Sequence, residues 1–196
     1  MQRRRSRKRG TVEGRKIGVS LGEFTNFPSI THGSVTATCA GHPHAVQLAV
    51  IQALLELNGS EKAYPISVSG RVGTFDGRVG FEIGVAEGTY FNYLDDETAK
   101  RLRERLTQGK LYSIMDFLIV VTYDYRREGK EVRLNFDYHQ LRFLFHDNHL
   151  EMRLYHSKGI RRMPLDELFG RILDAINREM RRKSVKPLVI EKMRTL

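Results

Sequence analysis

The sequence predicts an α+β protein in which an antiparallel sheet packs on a buried helix. Three patterns support this class: a nearly all-apolar helical segment at 43–57, short runs of alternating apolar and polar residues between 66 and 154, and an amphipathic helical stripe at 164–182. With 196 residues and 40% hydrophobic residues, the chain can bury one core. We expect one domain at 16–183, a disordered basic arm at 1–15 and a basic C-terminal tail at 184–196.

The first predicted helix is the buried one. Pro43 occupies the first helical position, which proline prefers, and His42 precedes it as the N-cap. Apolar residues surround the helix axis as far as Leu57, which is typical of a core helix. The segment at 22–41, rich in aromatic residues, Ser and Thr, leads into it through a strand-like stretch at 35–38.

A β-hairpin and a second helix are predicted next. Two alternating runs at 66–72 and 78–85 flank a tight Gly73–Gly77 loop, which predicts the hairpin. Three acidic residues at 95–97 then favour the start of a helix that ends at Gly109. Its apolar stripe is narrow, so we expect this helix on the surface.

The second half of the chain predicts a four-stranded antiparallel meander. Alternation from Met115 to Tyr125 and from Val132 to Tyr138 indicates two strands, joined by a turn at 128–130. The apolar positions then change parity, which predicts a turn or bulge near His139–Gln140 before strands at 141–145 and 150–154. An amphipathic helix opening at Pro164 follows, and 188–190 is either a final short strand or a docking tail.

The positive charge is concentrated at the two ends. The chain has 33 Lys and Arg against 23 Asp and Glu. Residues 1–16 hold eight basic residues and one acid, and residues 178–196 hold seven and two, so the middle has a net charge of −2. Clustered cations repel one another, and binding a nucleic acid relieves this repulsion while releasing counterions. The charge pattern therefore predicts a nucleic-acid partner.

The predicted contact residues are basic side chains that hold phosphates and rings that stack on bases. Phe75, at the predicted hairpin tip between Arg71 and Arg78, and the pairs Phe24/Phe27 and Tyr90/Phe91 are the aromatic candidates. The full set is Arg3, Arg4, Arg5, Arg7, Lys8, Arg9, Phe24, Phe27, Arg71, Phe75, Arg78, Tyr90, Phe91, Tyr125, Arg126, Arg127 and Lys130. These residues also have an ordinary interpretation, because aromatics on strands usually pack in the core and basic runs also serve solubility or localisation.

Enzymatic chemistry has little support in the sequence. Cys39, His42 and His44 have ligand types for zinc, but a closed site needs four ligands and the other histidines are scattered. No phosphate-binding loop, dinucleotide fingerprint, metalloprotease helix or nucleophile elbow is present. We expect a protein without enzymatic activity, cofactor or metal. A single cysteine and the lack of any long apolar run predict a cytoplasmic protein without disulfides or membrane spans.

The layout resembles the ThermoDBP group, the single-stranded-DNA-binding proteins of hyperthermophilic archaea. The shared features are chain length, Arg-rich composition, an α+β body with paired aromatics and the stripe from Leu165 to Met180. The resemblance implies sequence-tolerant binding of single-stranded DNA in an aromatic and basic cleft, and oligomerisation through the C-terminal helix at Leu165, Leu168, Ile172 and Ile176. This stripe is short for a zipper, and packing on the domain's own sheet is the alternative.

The leading hypothesis is therefore a single-stranded nucleic-acid-binding protein with low sequence specificity, with DNA favoured by the resemblance. An RNA-binding or ribosome-associated factor and a nucleic-acid-packaging protein remain alternatives within the same class. A protein-assembly module with solubilising tails and an enzyme built on Cys39, His42 and His44 are the alternatives from other classes.

Overall fold

Nine strands and three helices make up the part of the chain that the computed structural model describes, residues 21–68 and 73–196. The α+β prediction is confirmed. In chain order the elements are β1 (Gly33–Thr38), α1 (Pro43–Leu57), β2 (Glu61–Ser67), β3 (Thr74–Glu87), β4 (Tyr90–Tyr93), α2 (Asp96–Thr107), β5 (Ile114–Arg127), β6 (Lys130–Arg133), β7 (Asp137–Phe145), β8 (His149–Lys158), α3 (Leu165–Arg182) and β9 (Val189–Thr195).

The strands form one antiparallel sheet. Its order is β2-β3-β5-β7-β8-β1-β9, with β4 paired to β3 and β6 paired to β5. The predicted hairpin and the predicted meander are thus neighbours in the same sheet, because β3 pairs with β5 from Gly77 to Ile83. The first and last strands also pair with each other, since β1 lies between β8 and β9.

The two faces of the sheet differ in what covers them. Alternate residues such as Phe81, Ile119 and Leu141 are fully buried and share one core with the apolar sides of the three helices. The residues between them, such as Glu82, Val120 and Gln140, point to the opposite side and keep part of their surface exposed. We call this second side the open face. An antiparallel sheet tolerates such a face because only one side must be buried.

Helices α1 and α2 begin where the sequence predicts. The His42 Nδ1 atom accepts a hydrogen bond from the His44 N–H at the start of α1 (3.3 Å), and the Asp95 carboxylate accepts one from the Thr98 N–H at the start of α2 (2.8 Å). Each cap satisfies a main-chain donor that has no partner inside the helix. Among the described residues, no helix has the length and apolarity needed to cross a bilayer.

The C-terminal helix α3 packs on the chain's own core. Leu165, Leu168, Ile172 and Ile176 are all buried there. These side chains are not accessible to a second subunit, so their assignment as an oligomerisation stripe is wrong and the alternative packing holds. Of the two interpretations of 188–190, the final strand is the one observed: Val189–Thr195 forms edge strand β9 against β1, so most of the predicted basic tail at 184–196 is part of the sheet.

Three strand boundaries differ from the predictions. β3 begins at Thr74, so the predicted loop at 73–77 is mostly strand. The strand predicted at 132–138 is divided into β6 and β7 by an irregular stretch at 134–136, earlier than the break expected near His139–Gln140. The apolar parity changes across this irregular stretch, because burial alternates without a break from Asp137 to Phe143. The register shift between Tyr138 and His139 in the β7–β8 pairing leaves its extra residue, Ser157, in β8.

Candidate nucleic-acid interface

The open face carries an uncharged band across its centre. Leu118 lies opposite Gln140, and Gln140 lies opposite Tyr155. Val120 lies opposite Tyr138 in the next row. All five side chains are partly exposed, although apolar residues in a sheet are normally either covered or replaced by polar ones. A half-exposed apolar and aromatic surface of this kind is a common feature of binding sites.

The band extends through β4 to a strongly exposed tyrosine. Tyr93 lies opposite Gly84 and is 57% exposed. Glycine has no side chain to cover the neighbouring ring. On the same strand, Tyr90 lies opposite Glu87, at a position that faces the helices. The Tyr90 side chain is 53% exposed. The two tyrosines are therefore matched in type and exposure but lie on opposite sides of the sheet, so Tyr90, a predicted contact residue, does not belong to the band.

A group of three phenylalanines borders the band. The ring centroids of Phe24 and Phe91 are 4.6 Å apart, and the Arg142 guanidinium lies 4.2 Å from the Phe27 ring centroid. All three predicted rings are partly exposed. The Phe24–Phe91 contact covers part of each ring, so these two offer less free surface than Tyr93.

A buried ion pair positions this group. Asp116 accepts hydrogen bonds from Arg142 Nε and Nη2 at 2.7 Å each and from the Phe24 N–H at 2.8 Å. Arg142 Nη2 also donates to the Phe24 carbonyl oxygen at 3.2 Å. Burial raises the pKa of the Asp116 carboxyl, whereas the Arg142 and Phe24 hydrogen bonds oppose that rise. The pair therefore ties the segment around Phe24 and Phe27 to the sheet.

Three other arginines of the open face are also paired. Arg153 bonds Glu151 (2.7 Å), Arg133 bonds Asp124 (2.9 Å), and Arg78 forms ion pairs with both Glu61 and Glu131. Each pair neutralises a charge that a phosphate would otherwise contact. The centre of the face can thus stack on bases, but it has little net attraction for a polyanion.

The structure does not place Phe75 at the tip of a hairpin loop, as the sequence predicts. Phe75 lies within β3 on the helix-covered side, where its ring packs on buried Tyr125 with centroids 5.2 Å apart. Tyr125 is buried, so its assignment to stacking is wrong. Phe75 keeps part of its surface exposed, but on the side of the sheet away from the open face. Arg78 borders a pocket of about 230 Å³ with Asp76, Asp124 and Glu131, and these carboxylates disfavour an anionic ligand. Arg71 lies outside the described residues.

The remaining basic candidates of the body lie at the far end of β5. Arg126, Arg127 and Lys130 are exposed at the β5–β6 turn. Ten residues of β3 separate Gly77, opposite Tyr125, from Glu87, opposite Tyr90. At about 3.3 Å per residue this is roughly 30 Å. The structure therefore divides the predicted contact residues into two separate groups.

The predicted basic arm lies outside the described residues, and Arg3, Arg4, Arg5, Arg7, Lys8 and Arg9 lie with it. Its point of attachment is described, since Leu21 forms an isolated antiparallel bridge with Glu87 at the end of β3. Leu21 also lines a surface groove of about 550 Å³ with Arg101, Arg105, Lys110 and Glu104. Because arm and groove carry the same net sign, a polyanion would be attracted to both.

Two of the three residues with zinc-ligand side chains have structural roles. Cys39 is buried, and burial raises the pKa of its thiol. His42 caps α1. Within residues 21–68 and 73–196, no group of three potential ligands is close enough to hold a metal ion.

Tyr93, Tyr138 and Tyr155 are not among the contact residues selected from the sequence. Two of them carried a signal: Tyr93 shares strand parity with Phe91, and Tyr138 precedes the place where the sequence predicts the change in apolar parity. Tyr155 could not be distinguished from the core residues Met152 and Leu154 without the register of β8 against β7. Comparison with protein-family models, curated proteins and solved structures finds no match for this chain.

Proposed function

We propose that the protein is a non-enzymatic single-stranded nucleic-acid-binding protein that places bases on the open face, with single-stranded DNA as its first candidate ligand. The observation that carries this proposal is the uncharged band, with the exposed ring of Tyr93 and the partly exposed rings of Tyr138 and Tyr155, on a chain whose ends are strongly basic. One side of the Tyr155 ring is already stacked on His32, with ring centroids 4.8 Å apart, so Tyr93 offers the most free surface. A sheet surface with exposed rings suits unstacked bases, whereas a paired duplex hides its base faces.

The mechanism divides binding between two kinds of residue. Stacking on an aromatic ring contributes about 1–3 kcal/mol per base and depends little on base identity, because every base has a π-face. Phosphate contacts from the basic arm supply long-range attraction that weakens as salt increases. Low sequence specificity follows from this division, since neither contact reads base edges.

A titration with two tyrosine variants tests the proposal. Fluorescence anisotropy with a labelled oligothymidine at several salt concentrations should show saturable binding whose affinity falls as salt rises. Tyr93→Ala should weaken binding by about 1–3 kcal/mol because it removes one stacking partner. Tyr90→Ala is the matched control, and its affinity should remain close to that of the wild type.

Three outcomes would contradict the proposal: no binding at low salt, equal losses for the two variants, or preference for duplex DNA. Competition with unlabelled single-stranded RNA of equal length separates the RNA alternative. A clear preference for RNA would leave the open face as the proposed site, with single-stranded RNA in place of DNA as the ligand.

A further inference from the structure

The β8–α3 connection holds an exposed basic loop on a buried carboxylate. Asp137 has no exposed surface. One of its oxygens accepts hydrogen bonds from the N–H groups of Ile160 (2.7 Å) and Arg161 (2.9 Å), and the other accepts from the Arg162 N–H (2.8 Å) and the Tyr123 hydroxyl (2.8 Å). Three of these four donors are consecutive main-chain N–H groups, so Asp137 fixes the backbone of the loop.

The backbone of this loop is tightly constrained. Arg161 has a φ of +56°, in the left-handed region that costs a residue with a side chain about 1–2 kcal/mol. Gly159 has a φ of +110°, and a Cβ atom there would collide with Asp137 Oδ1 and the Phe136 carbonyl oxygen. Strained conformations that a surrounding network maintains are concentrated at functional sites.

The constrained loop presents cations and one apolar residue to solvent. Lys158 and Arg161 are exposed, Arg162 is partly exposed, and Ile160 at the tip is 59% exposed. Arg161 Nη1 donates to the Leu196 main-chain oxygen at 3.0 Å, which brings the end of β9 and its exposed Arg194 to the same side.

These cations differ from Arg78, Arg133 and Arg153 of the open face, which each have an acidic partner. In the described parts of the chain, no Asp or Glu side chain lies within ion-pair distance of Lys158, Arg161, Arg162 or Arg194. The nearby carboxylate of Asp137 is buried and occupied by main-chain donors. The loop therefore keeps a local excess of positive charge that an anion can use.

The loop adjoins the aromatic band at the end away from the arm. Lys158 pairs with Tyr138 across β7 and β8, and the Ser157 hydroxyl donates to the Tyr138 carbonyl oxygen at 3.1 Å. Positions along β5 give the distance between the arm and the loop. The Asp116 N–H donates to the Gly22 carbonyl oxygen, next to the arm's attachment at Leu21, and Val121 lies opposite Asp137, which holds the loop. Five residues and two strand spacings separate them, roughly 20 Å.

We infer that the loop Lys158–Arg162, together with Arg194, is a preformed binding site for the phosphodiester backbone of a single strand that lies on the open face. This inference rests on the proposed function and adds a fixed phosphate site on the folded body. Arg161 and Arg162 provide the charged donors. Arg162 Nη1 donates to the Asn135 carbonyl oxygen (3.3 Å) and its guanidinium lies 5.7 Å from the Tyr123 ring centroid, so this side chain has to turn outward to reach the strand. Asp137 is a positioning residue, because it sets the loop conformation without touching the ligand.

The test compares two charge-matched double variants in oligothymidine titrations. Arg161→Gln with Arg162→Gln removes two loop cations, and we expect binding at least about tenfold weaker at low salt, as for a lost charge-assisted hydrogen bond. The slope of log affinity against log salt should become shallower by about 0.7 for each lost contact, or about 1.4 for both. Lys62→Gln with Lys100→Gln removes the same charge from exposed positions on β2 and α2, outside the basic ends and the open-face site, and should change both quantities much less.

The outcomes separate this inference from the proposed function. If wild-type protein binds the oligonucleotide and the two double variants lose affinity equally, the loop is not a phosphate site although the proposed function stands. If wild-type protein does not bind at low salt, the proposed function itself fails and takes the inference with it. A specific loss in the loop variant, with unchanged thermal unfolding, supports the inference.

Discussion

Replacing Asp137 with alanine is expected to lower the free energy of unfolding by about 3–5 kcal/mol. The variant leaves the Tyr123 hydroxyl and the N–H groups of Ile160, Arg161 and Arg162 without their acceptor, and an unsatisfied buried donor costs about 1–3 kcal/mol. The measurement is chemical denaturation followed by circular dichroism at neutral pH. Asp76→Ala, at an exposed position of β3, is the control and should change stability by less than about 0.5 kcal/mol.

The Asp137 effect should also depend on pH. Burial opposes ionisation of Asp137, but the N–H groups of Arg162, Arg161 and Ile160 and the Tyr123 hydroxyl together hold its pKa below the usual value. A carboxyl whose folded pKa is depressed stabilises the fold above its unfolded pKa, and this stabilisation is lost as pH falls through the folded pKa. The wild type and Asp137→Ala should therefore converge in stability below about pH 4. A loss under 1 kcal/mol at neutral pH would contradict the described network.

Replacing Arg142 with methionine is expected to have a comparable effect, about 3–5 kcal/mol, because it leaves the Asp116 carboxylate buried and unpaired. Adding Asp116→Asn should recover most of this loss, since the double variant no longer buries an uncompensated charge. Arg153→Met breaks the more exposed pair with Glu151 on the same face and should cost less than about 1 kcal/mol. Equal losses for the two arginine variants would contradict the account of the buried pair.

The Arg142 variant should also respond to pH in a defined direction. Burial raises the pKa of Asp116 even with Arg142 present, and without the guanidinium that pKa should rise further. A carboxyl with a raised folded pKa destabilises the fold as pH rises above its unfolded value. The Arg142→Met variant should therefore be least destabilised near pH 4 and lose stability as pH increases. Oligonucleotide affinity should fall as well, because Phe24 and Phe27 lose their anchor.

Local patterns predicted the helices well. The caps at His42 and Asp95 and the spacing of apolar residues act within a few residues of each helix, so α1, α2 and α3 match their predictions closely. The alternating runs likewise identified most strands. The order of the strands depends on pairings between distant residues, such as β1 with β9, that no local pattern contains.

The candidate site was only partly predictable for the same reason. Phe24, Phe27 and Phe91 meet on one face through the Asp116–Arg142 pair, which joins residues far apart in the chain. Phe75 packs on Tyr125 because β3 begins at Thr74, a boundary that the glycines at 73 and 77 concealed. The basic loop at 158–162 was visible as a short Lys/Arg cluster, but its fixed shape depends on Asp137, more than 20 residues earlier.

The most direct measurement of the central claim is a map of main-chain amide chemical shifts during titration with oligothymidine at low salt. We expect saturable changes on the open face, at Leu118, Val120, Tyr138 and Tyr155, with little change in helices α1 and α3. Changes concentrated on the helix-covered side, or no saturable change at any residue, would contradict the claim that this face receives the bases.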